Sequence, residues 1–409
     1  MNTKPSFIIV GGGLAGAIAV QTLREEGFDG SITLLGQEPN APYERPPLSK
    51  DYLQGKADRD SIFVHPEPWY AEHGVDLSLG PAVTSLDPAA RAVTTDAGAQ
   101  LHYDKLLLAT GSKPRRLEVP GADLGGVYYL RNVEDSERIK IDFARAKRVV
   151  IIGAGWIGLE TAAAARAAGP DVTLLVSGDL PLQRVLGHEA APIFAELHRS
   201  HGVDLRYRTT AAELTGRHSA LTGVILSDGT KIEADMVIVG VGVVPRTELA
   251  ADAGLKVGDG IVVDEHLRTS DPDIFAAGDI AHAYNPRLGR HIRVEHWANA
   301  RRQGVVAAKA MLGQDAVDLR PSYFYTDQYD LSMEYTGDIG PEGYDRVIFR
   351  RHADSSQVIV FWLYAQRVQA GMNINIWDVA EDIERLVQSG RPINANDLAD
   401  PDIPLASLF

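Results

Sequence analysis

Short apolar runs and helical patterns alternate along the chain, and the same order of elements occurs twice. The first copy has an apolar run at residues 7–10, the segment GGGLAG, a helical pattern over residues 17–26 and a second apolar strand that begins at Ser31. The second copy is RVVIIGAGWIGLETAAAARAAGPDVTLLV, with strands predicted at residues 149–152 and 171–176. Strands that alternate with helices predict parallel sheets, so both segments indicate β–α–β units of an α/β fold.

The pattern changes from Arg320 onward. The segments VIFRRH, QVIVFWLY and RVQAGMNIN alternate in the way that antiparallel strands do. WDVAEDIERLVQSG predicts a helix that ends at Gly390, and an Ala- and Val-rich helix is predicted earlier, over residues 298–312. The last part of the chain therefore predicts a separate α+β domain.

Composition limits the functional class without identifying it. The 409 residues are 45% hydrophobic and carry a net charge of −15, which predicts about two to three globular domains. The negative charge argues against a nucleic-acid partner, because such a partner's phosphates would need to be neutralised. The N-terminal apolar run is too short for a signal peptide, and no segment approaches the ~18 apolar residues of a membrane span. A cytoplasmic protein without a membrane partner is expected.

The chain contains no cysteine. Disulfides, thiolate metal sites and redox mechanisms based on thiols are therefore excluded. No metal site is predicted.

Both copies of the repeated pattern carry the glycine spacing G-x-G-x-x-G of dinucleotide-binding turns. The first glycine allows a tight turn, the second lets the backbone approach a pyrophosphate, and the third lets helix and strand pack closely. The helix N-terminus then favours phosphate through its free N–H groups and its dipole. The glycines concerned are Gly11, Gly13 and Gly16 in the first copy and Gly153, Gly155 and Gly158 in the second. Two such sites in one chain indicate a flavin dinucleotide and a nicotinamide dinucleotide that exchange a hydride.

Several segments resemble one enzyme family over essentially the whole chain. The most specific are PYERPPLSKDYL, GAGWIGLE, PLQRVLG, TSDPDIFAAGD, EHWANARRQG and FYTDQYDL. They resemble FAD-dependent pyridine-nucleotide oxidoreductases, and among these the ferredoxin reductases of bacterial cytochrome P450 and ring-hydroxylating dioxygenase systems. The resemblance implies an α/β fold with two Rossmann-like dinucleotide-binding domains, arranged as in glutathione reductase, plus an α+β C-terminal domain. It implies an FAD-binding domain over residues 1–112 and 242–318, an NAD(P)H-binding domain over 113–241 and a C-terminal domain over 319–409.

The resemblance also implies a set of FAD-binding residues. The pyrophosphate is expected at the first glycine turn, which comprises Gly11, Gly13, Leu14, Ala15 and Gly16. Arg45 is expected to neutralise phosphate, Glu38 to bind the adenosine ribose, with Gln37 sharing this task, and Val83 to meet the adenine through its backbone. The flavin side is expected at Lys50, Thr110, Gly111, Arg131, Asp279 and Trp297. Alternative interpretations are a helix or turn cap for Asp279, core packing for Trp297, a surface charge for Arg45 and a solvated pair with Asp51 for Lys50.

Lys50 and Glu160 are expected to form a salt bridge beside the flavin atom that accepts the hydride. The resemblance implies this pairing, and a buried helical glutamate is costly unless it is paired. A purely structural ion pair is the alternative. NAD(P)H is expected at the second glycine turn, and electrons are expected to leave singly to a [2Fe–2S] ferredoxin that serves a P450 or a dioxygenase.

Two positions depart from the family's pattern. Val176 ends a strand where the family usually has a glutamate that binds the ribose of NADH. NADH remains the expected nucleotide, with NADPH as the alternative, and Asp179 and Arg184 are the nearby candidates for contacts to the ribose or to a 2′-phosphate. Tyr325 stands where relatives commonly carry a tryptophan against the flavin, with plain core packing as its alternative role.

Ferredoxins are commonly acidic, so a local basic docking patch is expected on this acidic chain. The candidates are Arg293, Arg301, Arg302, Arg350 and Arg351. Rival functions on the same architecture are a rubredoxin reductase, an NAD(P)H oxidase and a monodehydroascorbate-type reductase. A rival from another class is a flavin-binding signalling protein of the apoptosis-inducing-factor type.

Overall fold

The computed structural model describes residues 4–409, and these residues form two compact units. The first unit comprises the described part of Met1–Glu44 together with Arg59–Lys113 and Pro245–Phe324. The second unit comprises Arg45–Asp58, Pro114–Val244 and Tyr325–Phe409. The predicted domain boundaries stay a prediction. Among the described residues, every helix is too short or too polar to cross a membrane.

A five-stranded parallel sheet carries the first glycine turn. Its strands, in spatial order, are Ile274–Ala276, Lys105–Leu108, Ser6–Val10, Ser31–Gly36 and Val75–Leu79. The central strand leads into the helix Leu14–Glu25, which buries most of its small and apolar residues. The helix Trp297–Met311 packs against it and lies one residue earlier at each end than the predicted 298–312. A Cβ added at Gly304 would lie 2.7 Å from the carbonyl oxygen of Ala15, so glycine permits this close approach of the two helices.

The first unit also contains two small sheets and three short helices. One sheet is antiparallel, with the strands Val83–Asp87, Ala92–Thr95 and Gln100–His102. The other has the strands Val257–Gly258, Gly260–Val263, Ala281–Asn285 and Arg290–Ile292, with a parallel pair in its middle. The short helices are Arg59–Ile62, Glu67–Glu72 and Glu248–Asp252. The core of the unit is formed by apolar residues of the parallel sheet and its helices, such as Ile9, Leu34, Leu107 and Phe275.

A second parallel sheet, in the second unit, carries the second glycine turn. Its strands, in spatial order, are Asp204–Tyr207, Asp171–Val176, Arg148–Ile152, Met236–Val239 and Val127–Tyr129. The helices of this part are Pro46–Ser49, Val133–Phe143, Trp156–Ala168 and Gln183–Ser200. An antiparallel sheet consists of Ala211–Arg217, Ala220–Leu226 and Lys231–Glu233. Two short strands, Ser112–Pro114 and Val243–Pro245, occur where the sequence passes from one unit to the other.

The C-terminal part folds as a five-stranded sheet with antiparallel pairing and three short helices. The strand order is Tyr323–Gln328, Leu331–Gly337, Arg367–Ile374, Val358–Tyr364 and Arg346–Arg351. The helices are Ala380–Ser389, Ala395–Ala399 and Leu405–Ser407. Phe361, Ile383 and Leu386 share one apolar core, and Gly390, with a φ of +56°, ends the first of these helices as predicted. The predicted fold class, with two Rossmann-like parallel sheets and an α+β C-terminal part, is confirmed.

Candidate active site

The first glycine turn uses its first and third glycines for backbone packing and keeps space at its second. Gly11 has a φ of +128°, and a Cβ there would lie 2.1 Å from the carbonyl oxygen of Ala109. A Cβ at Gly16 would lie 2.2 Å from the carbonyl oxygen of Gly11. A Cβ at Gly13 would meet no heavy atom of the described residues within 4 Å. Packing therefore requires glycine at two positions, whereas Gly13 leaves room for a ligand to approach the backbone.

The second glycine turn repeats this arrangement. Gly153 has a φ of +107°, and a Cβ there would lie 2.4 Å from the carbonyl oxygen of Gly240. A Cβ at Gly158 would lie 1.9 Å from the carbonyl oxygen of Gly153. A Cβ at Gly155 again meets nothing within 4 Å in the described part of the chain. The two turns thus have the same division between packing positions and an open position.

A helix begins directly after each open glycine. Gly13 and Gly155 stand at the N-cap positions of the helices Leu14–Glu25 and Trp156–Ala168. Glycine has no side chain with which to cap the first N–H groups, so these donors are available to a ligand. Together with the positive end of the helix dipole they suit a phosphate group. The residues at both turns, including Leu14 and Ala15 in the first, therefore fit the pyrophosphate of a dinucleotide.

Two further predicted FAD residues lie near the first turn because neighbouring parallel strands end at the same edge of the sheet. Thr110 follows the strand beside the central one, and its backbone nitrogen lies 3.0 Å from the position of a Cβ added at Gly11. Asp279 follows the edge strand, and a Cβ added at its neighbour Gly278 would lie 3.2 Å from the Cβ of Ala15. The fold thus brings segments that are far apart in sequence to one edge.

Three more predicted FAD residues belong to the first unit. Gly111 has a φ of +66°, and its carbonyl oxygen accepts a hydrogen bond from the backbone nitrogen of Arg246 at 3.0 Å. Val83 begins a strand of the small antiparallel sheet. Trp297 is the first residue of its helix, and the guanidinium carbon of Arg301 lies 5.8 Å from the centre of its ring. The FAD contacts of these residues stay predictions.

The second strands of the two repeats end in equivalent positions. Both strands show the same sequence of exposed and buried residues, and the last pairs of their registers are Val10 with Leu35 and Ile152 with Leu175. Gly36 and Val176 therefore correspond to each other. Val176 is only 2% exposed, so its side chain belongs to the core.

In both repeats the first carboxylate comes from the loop after the strand. In the first repeat the hydroxyl of Tyr43 donates a hydrogen bond to Glu38. In the second, Nε of Arg208 lies 2.5 Å from Oδ1 of Asp179. The hydrogen bond and the charge of Arg208 lower the pKa of Asp179 below its ordinary value. Arg184 is exposed on the helix that follows.

Lys50 and Glu160 form the predicted salt bridge. Nζ of Lys50 lies 2.7 Å from Oε1 of Glu160, and the two residues are 8% and 3% exposed. Lys50 directly follows the 3-10 helix Pro46–Ser49, and Glu160 lies in the second turn of the helix after the second glycine turn. Both belong to the second unit. Their role beside a flavin stays a prediction.

Two residues that the sequence analysis missed complete the surroundings of Glu160. The hydroxyl of Ser49 donates to Oε2, and Oγ1 of Thr326 donates to Oε1 at 2.6 Å. Thr326 lies on a strand whose alternate residues are buried, so a polar residue at a buried position was the available signal. Tyr325 directly precedes Thr326 on this strand. The centre of its ring lies 5.4 Å from Nζ of Lys50.

Arg45 and Arg131 also come together in the second unit. Nη1 of Arg45 donates to the carbonyl oxygen of Arg131. Arg131 follows the strand Val127–Tyr129, and its backbone nitrogen donates to Asp135 at 3.0 Å, at the start of the next helix. Arg45 is therefore fixed by the backbone and is not a free surface charge.

The predicted basic patch is wrong for two of its members. Arg350 is 3% exposed, and its guanidinium donates to the backbone carbonyls of C-terminal residues, among them Leu398. The side chain of Arg293 is 12% exposed and is paired with Asp259 and Glu295. Charge in the sequence does not reveal such burial. The exposed candidates are Arg301 and Arg351, and Arg302 is half-buried with a hydrogen bond to the carbonyl oxygen of Pro321.

Comparison with known proteins gives matches over the whole chain. Residues 5–304 match the model of the pyridine nucleotide-disulphide oxidoreductases, and residues 323–409 match a reductase C-terminal model. The putidaredoxin reductase of Pseudomonas putida is 37% identical over 414 residues, covering 100% of this chain and 98% of that protein. The rhodocoxin reductase of Rhodococcus erythropolis is 37% identical over 400 residues, covering 98% and 93%. The reductase chain in a covalent complex of putidaredoxin reductase with putidaredoxin superposes with a TM-score of 0.95 at 36% identity, covering 99% and 98% of the two chains.

Proposed function

The chain belongs to the pyridine nucleotide-disulphide oxidoreductase family, and we propose that it is an FAD-dependent NAD(P)H:ferredoxin reductase. Its electrons go one at a time to a [2Fe–2S] ferredoxin that supplies a cytochrome P450 or a ring-hydroxylating dioxygenase. The observation that carries this proposal is the pair of glycine turns with the same open position, in a chain that resembles putidaredoxin reductase from end to end.

FAD, when bound, supplies a group that takes up a hydride and gives up its electrons singly. The first glycine turn binds the pyrophosphate through Gly13 and the N–H groups that follow it. Glu38 binds the adenosine ribose, and Thr110 and Asp279 orient the ligand from the neighbouring strand ends. Arg45 adds positive charge from a position that the carbonyl oxygen of Arg131 fixes.

The absence of cysteine defines the branch of the family. Members that reduce disulfides relay electrons through a cysteine pair, and this chain has no thiol for such a relay. Its electrons must pass directly to a separate acceptor. An iron–sulfur protein is an acceptor of this kind, in agreement with the names of the relatives.

Lys50 and Glu160 have a positioning role in the proposal. A lysine in a buried position keeps its charge only with a partner, and Glu160 is that partner at 2.7 Å. Glu160 is in turn fixed by the hydroxyls of Ser49 and Thr326. The ammonium group is therefore held in one place, and in this proposal it would help to orient the bound nucleotide for hydride transfer.

The nucleotide is NADH in this proposal, and Asp179 takes over the task that Val176 cannot perform. The loop after the strand supplies the carboxylate, as it does at Glu38 in the first repeat. Asp179 is an ionised carboxylate that Arg208 holds by a salt bridge, and it can accept hydrogen bonds from ribose hydroxyls. A carboxylate at this place also repels a 2′-phosphate.

The replacement Asp179→Asn tests this assignment. It should lower kcat/KM for NADH relative to NADPH by about tenfold, the value of one hydrogen bond to a charged group. Asp204→Asn is the matched control, because Asp204 is an exposed aspartate on the neighbouring strand, paired with Arg206 at 2.7 Å. An unchanged ratio in Asp179→Asn would contradict the role of Asp179.

The proposed function is tested by anaerobic stopped-flow mixing of the purified flavoprotein with NADH and, separately, with NADPH. The expected result is fast bleaching of the flavin by NADH, followed by rapid reduction of putidaredoxin, used as a [2Fe–2S] probe. Rubredoxin and oxygen serve as comparison acceptors. Bleaching by neither nucleotide would refute the reductase assignment, and rapid turnover with rubredoxin or oxygen alone would refute the ferredoxin assignment.

A further inference from the structure

A line of buried polar side chains continues from the Lys50–Glu160 pair into the C-terminal half of a long helix. Oγ1 of Thr326 lies 2.6 Å from Glu160, and Nε2 of Gln328 lies 3.1 Å from Oγ1 of Thr326. Oε1 of Gln328 lies 2.8 Å from Nε2 of His198. Thr326, Gln328 and His198 are each 1% exposed or less, and all belong to the second unit. The Lys50–Glu160 ion pair alone does not explain why these three further polar side chains are buried and hydrogen-bonded in a row.

The chemistry of these groups gives every hydrogen bond in the line one direction. An amide oxygen only accepts, so Nε2 of His198 must donate to Gln328. An amide nitrogen only donates, so Thr326 accepts from Gln328 and has its hydroxyl hydrogen left for Glu160. The hydroxyl of Tyr329, 3.4 Å from Nδ1 of His198, faces the remaining lone pair of the ring. All the hydrogens of the line therefore point toward the carboxylate.

We propose that Thr326, Gln328 and His198 are positioning residues that hold the Glu160 carboxylate in one orientation, turned toward Lys50. This inference rests on the proposed function, which places the pair at the site of hydride transfer. Three donors, from Ser49, Lys50 and Thr326, reach a carboxylate that is 3% exposed. A buried ion pair is stable only when its remaining lone pairs are also satisfied, and aligned hydrogen bonds strengthen one another at low dielectric.

The charges around this hydrogen-bonded line indicate that it acts as a fixed dipole and that it does not conduct protons. Burial lowers the pKa of His198 to about 4, so the ring is neutral at physiological pH and adds no charge. The ring of His201 stacks on Tyr329 with centres 3.7 Å apart, and Asp330 lies 3.9 Å from His201. Lys50 is the titratable group that faces Glu160 directly. The amide of Gln328 neither gains nor loses a proton in this pH range, so it interrupts proton transfer.

The first test replaces the hydroxyl at position 326 in the holoenzyme. Thr326→Val removes the donor with little change in shape, Thr326→Ser keeps it, and Thr336→Val changes another buried threonine as a control. In Thr326→Val the rate constant of flavin reduction should fall about tenfold, with the Kd of NADH unchanged. Thr326→Ser should restore the rate constant.

The second test measures the hydrogen bonds of the line by NMR and does not depend on enzyme turnover. Holoenzyme labelled with ¹⁵N-histidine, with His198 assigned through His198→Gln, should show this ring protonated at Nε2 and unprotonated at Nδ1 at neutral pH. The Nε2 resonance should shift in Thr326→Val and stay in place in Thr336→Val. Should Thr326→Val fold poorly, Gln328→Met breaks the line at the next residue and serves in both tests.

Two results would overturn the inference. One is a Thr326→Val enzyme that matches Thr336→Val in both rate and His198 resonance. The other is a His198 ring protonated at Nδ1 alone, because it would then donate nothing toward Gln328. A wild-type flavin that neither nucleotide reduces refutes the proposed function instead, and the NMR measurement then still decides whether the line is directed at Glu160.

Discussion

Replacing Gly155 with alanine should separate the ligand-binding role of the second glycine turn from its packing role. A Cβ at Gly155 meets no heavy atom of the described residues within 4 Å, and its φ of −84° and ψ of −175° are open to alanine. Gly158→Ala is the matched comparison, because a Cβ there would lie 1.9 Å from the carbonyl oxygen of Gly153.

The expected stability changes differ in size. In Gly155→Ala, the loss of a preferred N-cap residue and the reduced freedom of the unfolded chain oppose each other, so the free energy of unfolding should change by less than about 1 kcal/mol. In Gly158→Ala the backbone must move, at a cost of about 1–3 kcal/mol or more. Each kcal/mol corresponds to about 2–4 °C in Tm for a unit of this size.

Gly155→Ala, which should change stability less, should weaken nucleotide binding. The new methyl group at Gly155 occupies the space in which a pyrophosphate would approach the backbone. Losing one hydrogen bond to a charged phosphate costs about 1.5–3 kcal/mol, which is roughly a ten- to hundredfold rise in Kd. Isothermal titration of the oxidised enzyme with NAD⁺ measures this Kd, and the visible absorbance of the flavin checks that FAD content is unchanged.

Either of two outcomes would refute this reasoning. If Gly155→Ala binds the nucleotide as tightly as the wild type, the second turn is not its phosphate site. If Gly155→Ala lowers Tm as much as Gly158→Ala does, the space inferred above Gly155 does not exist.

Three further changes test other parts of the structure. Glu160→Gln should lower the free energy of unfolding, measured in urea, by about 3–5 kcal/mol, because the buried ammonium of Lys50 loses its counter-charge. Adding Lys50→Met to this variant should recover most of the loss. An absence of recovery would contradict a buried pair. Arg301→Glu should raise the ferredoxin KM several-fold at low salt and less at high salt, with flavin reduction by NADH unchanged, and an unaltered KM would exclude Arg301 from the docking surface. The low pKa of His198 in the folded state, about 4 against ~6.5 when unfolded, means that protons favour unfolding, so stability should fall by about 2 kcal/mol between pH 7 and pH 5. His198→Gln should remove that part of the loss, and an equal loss in the variant would contradict a buried neutral ring.

Local patterns predicted the parallel sheets and the glycine turns because each depends on residues that are close in sequence. The helix predicted over 298–312 differs from the observed Trp297–Met311 by one residue at each end, which reflects how weakly sequence defines a helix boundary. The equivalence of the two turns was also visible in the spacing of their glycines. What sequence could not distinguish was a glycine needed for packing from one that leaves space, since that depends on carbonyl oxygens of distant strands such as Ala109 and Gly240.

The surroundings of Glu160 were predicted only in part. Lys50 came from the resemblance to a family, whereas Thr326 and His198 come from a strand and a helix far away in sequence. No periodicity links these segments, and only the tertiary fold brings them together. The basic patch failed for a related reason: Arg350 satisfies backbone carbonyls inside the C-terminal part, and formal charge contains no information on burial.

Comparison of the two repeats changes how the valine at position 176, where the family usually has a glutamate, is interpreted. The corresponding residue of the first repeat, Gly36, also has no carboxylate, and in both cases an acidic residue follows within three positions, in the loop. A missing acid at the strand end is therefore a property that both repeats share. The difference lies in the partners: a neutral hydroxyl donates to Glu38, whereas the cation of Arg208 is paired with Asp179. In our proposal this cation offsets part of the repulsion between Asp179 and a 2′-phosphate, so the degree of preference for NADH depends on the Asp179–Arg208 pair and not on the buried side chain of Val176.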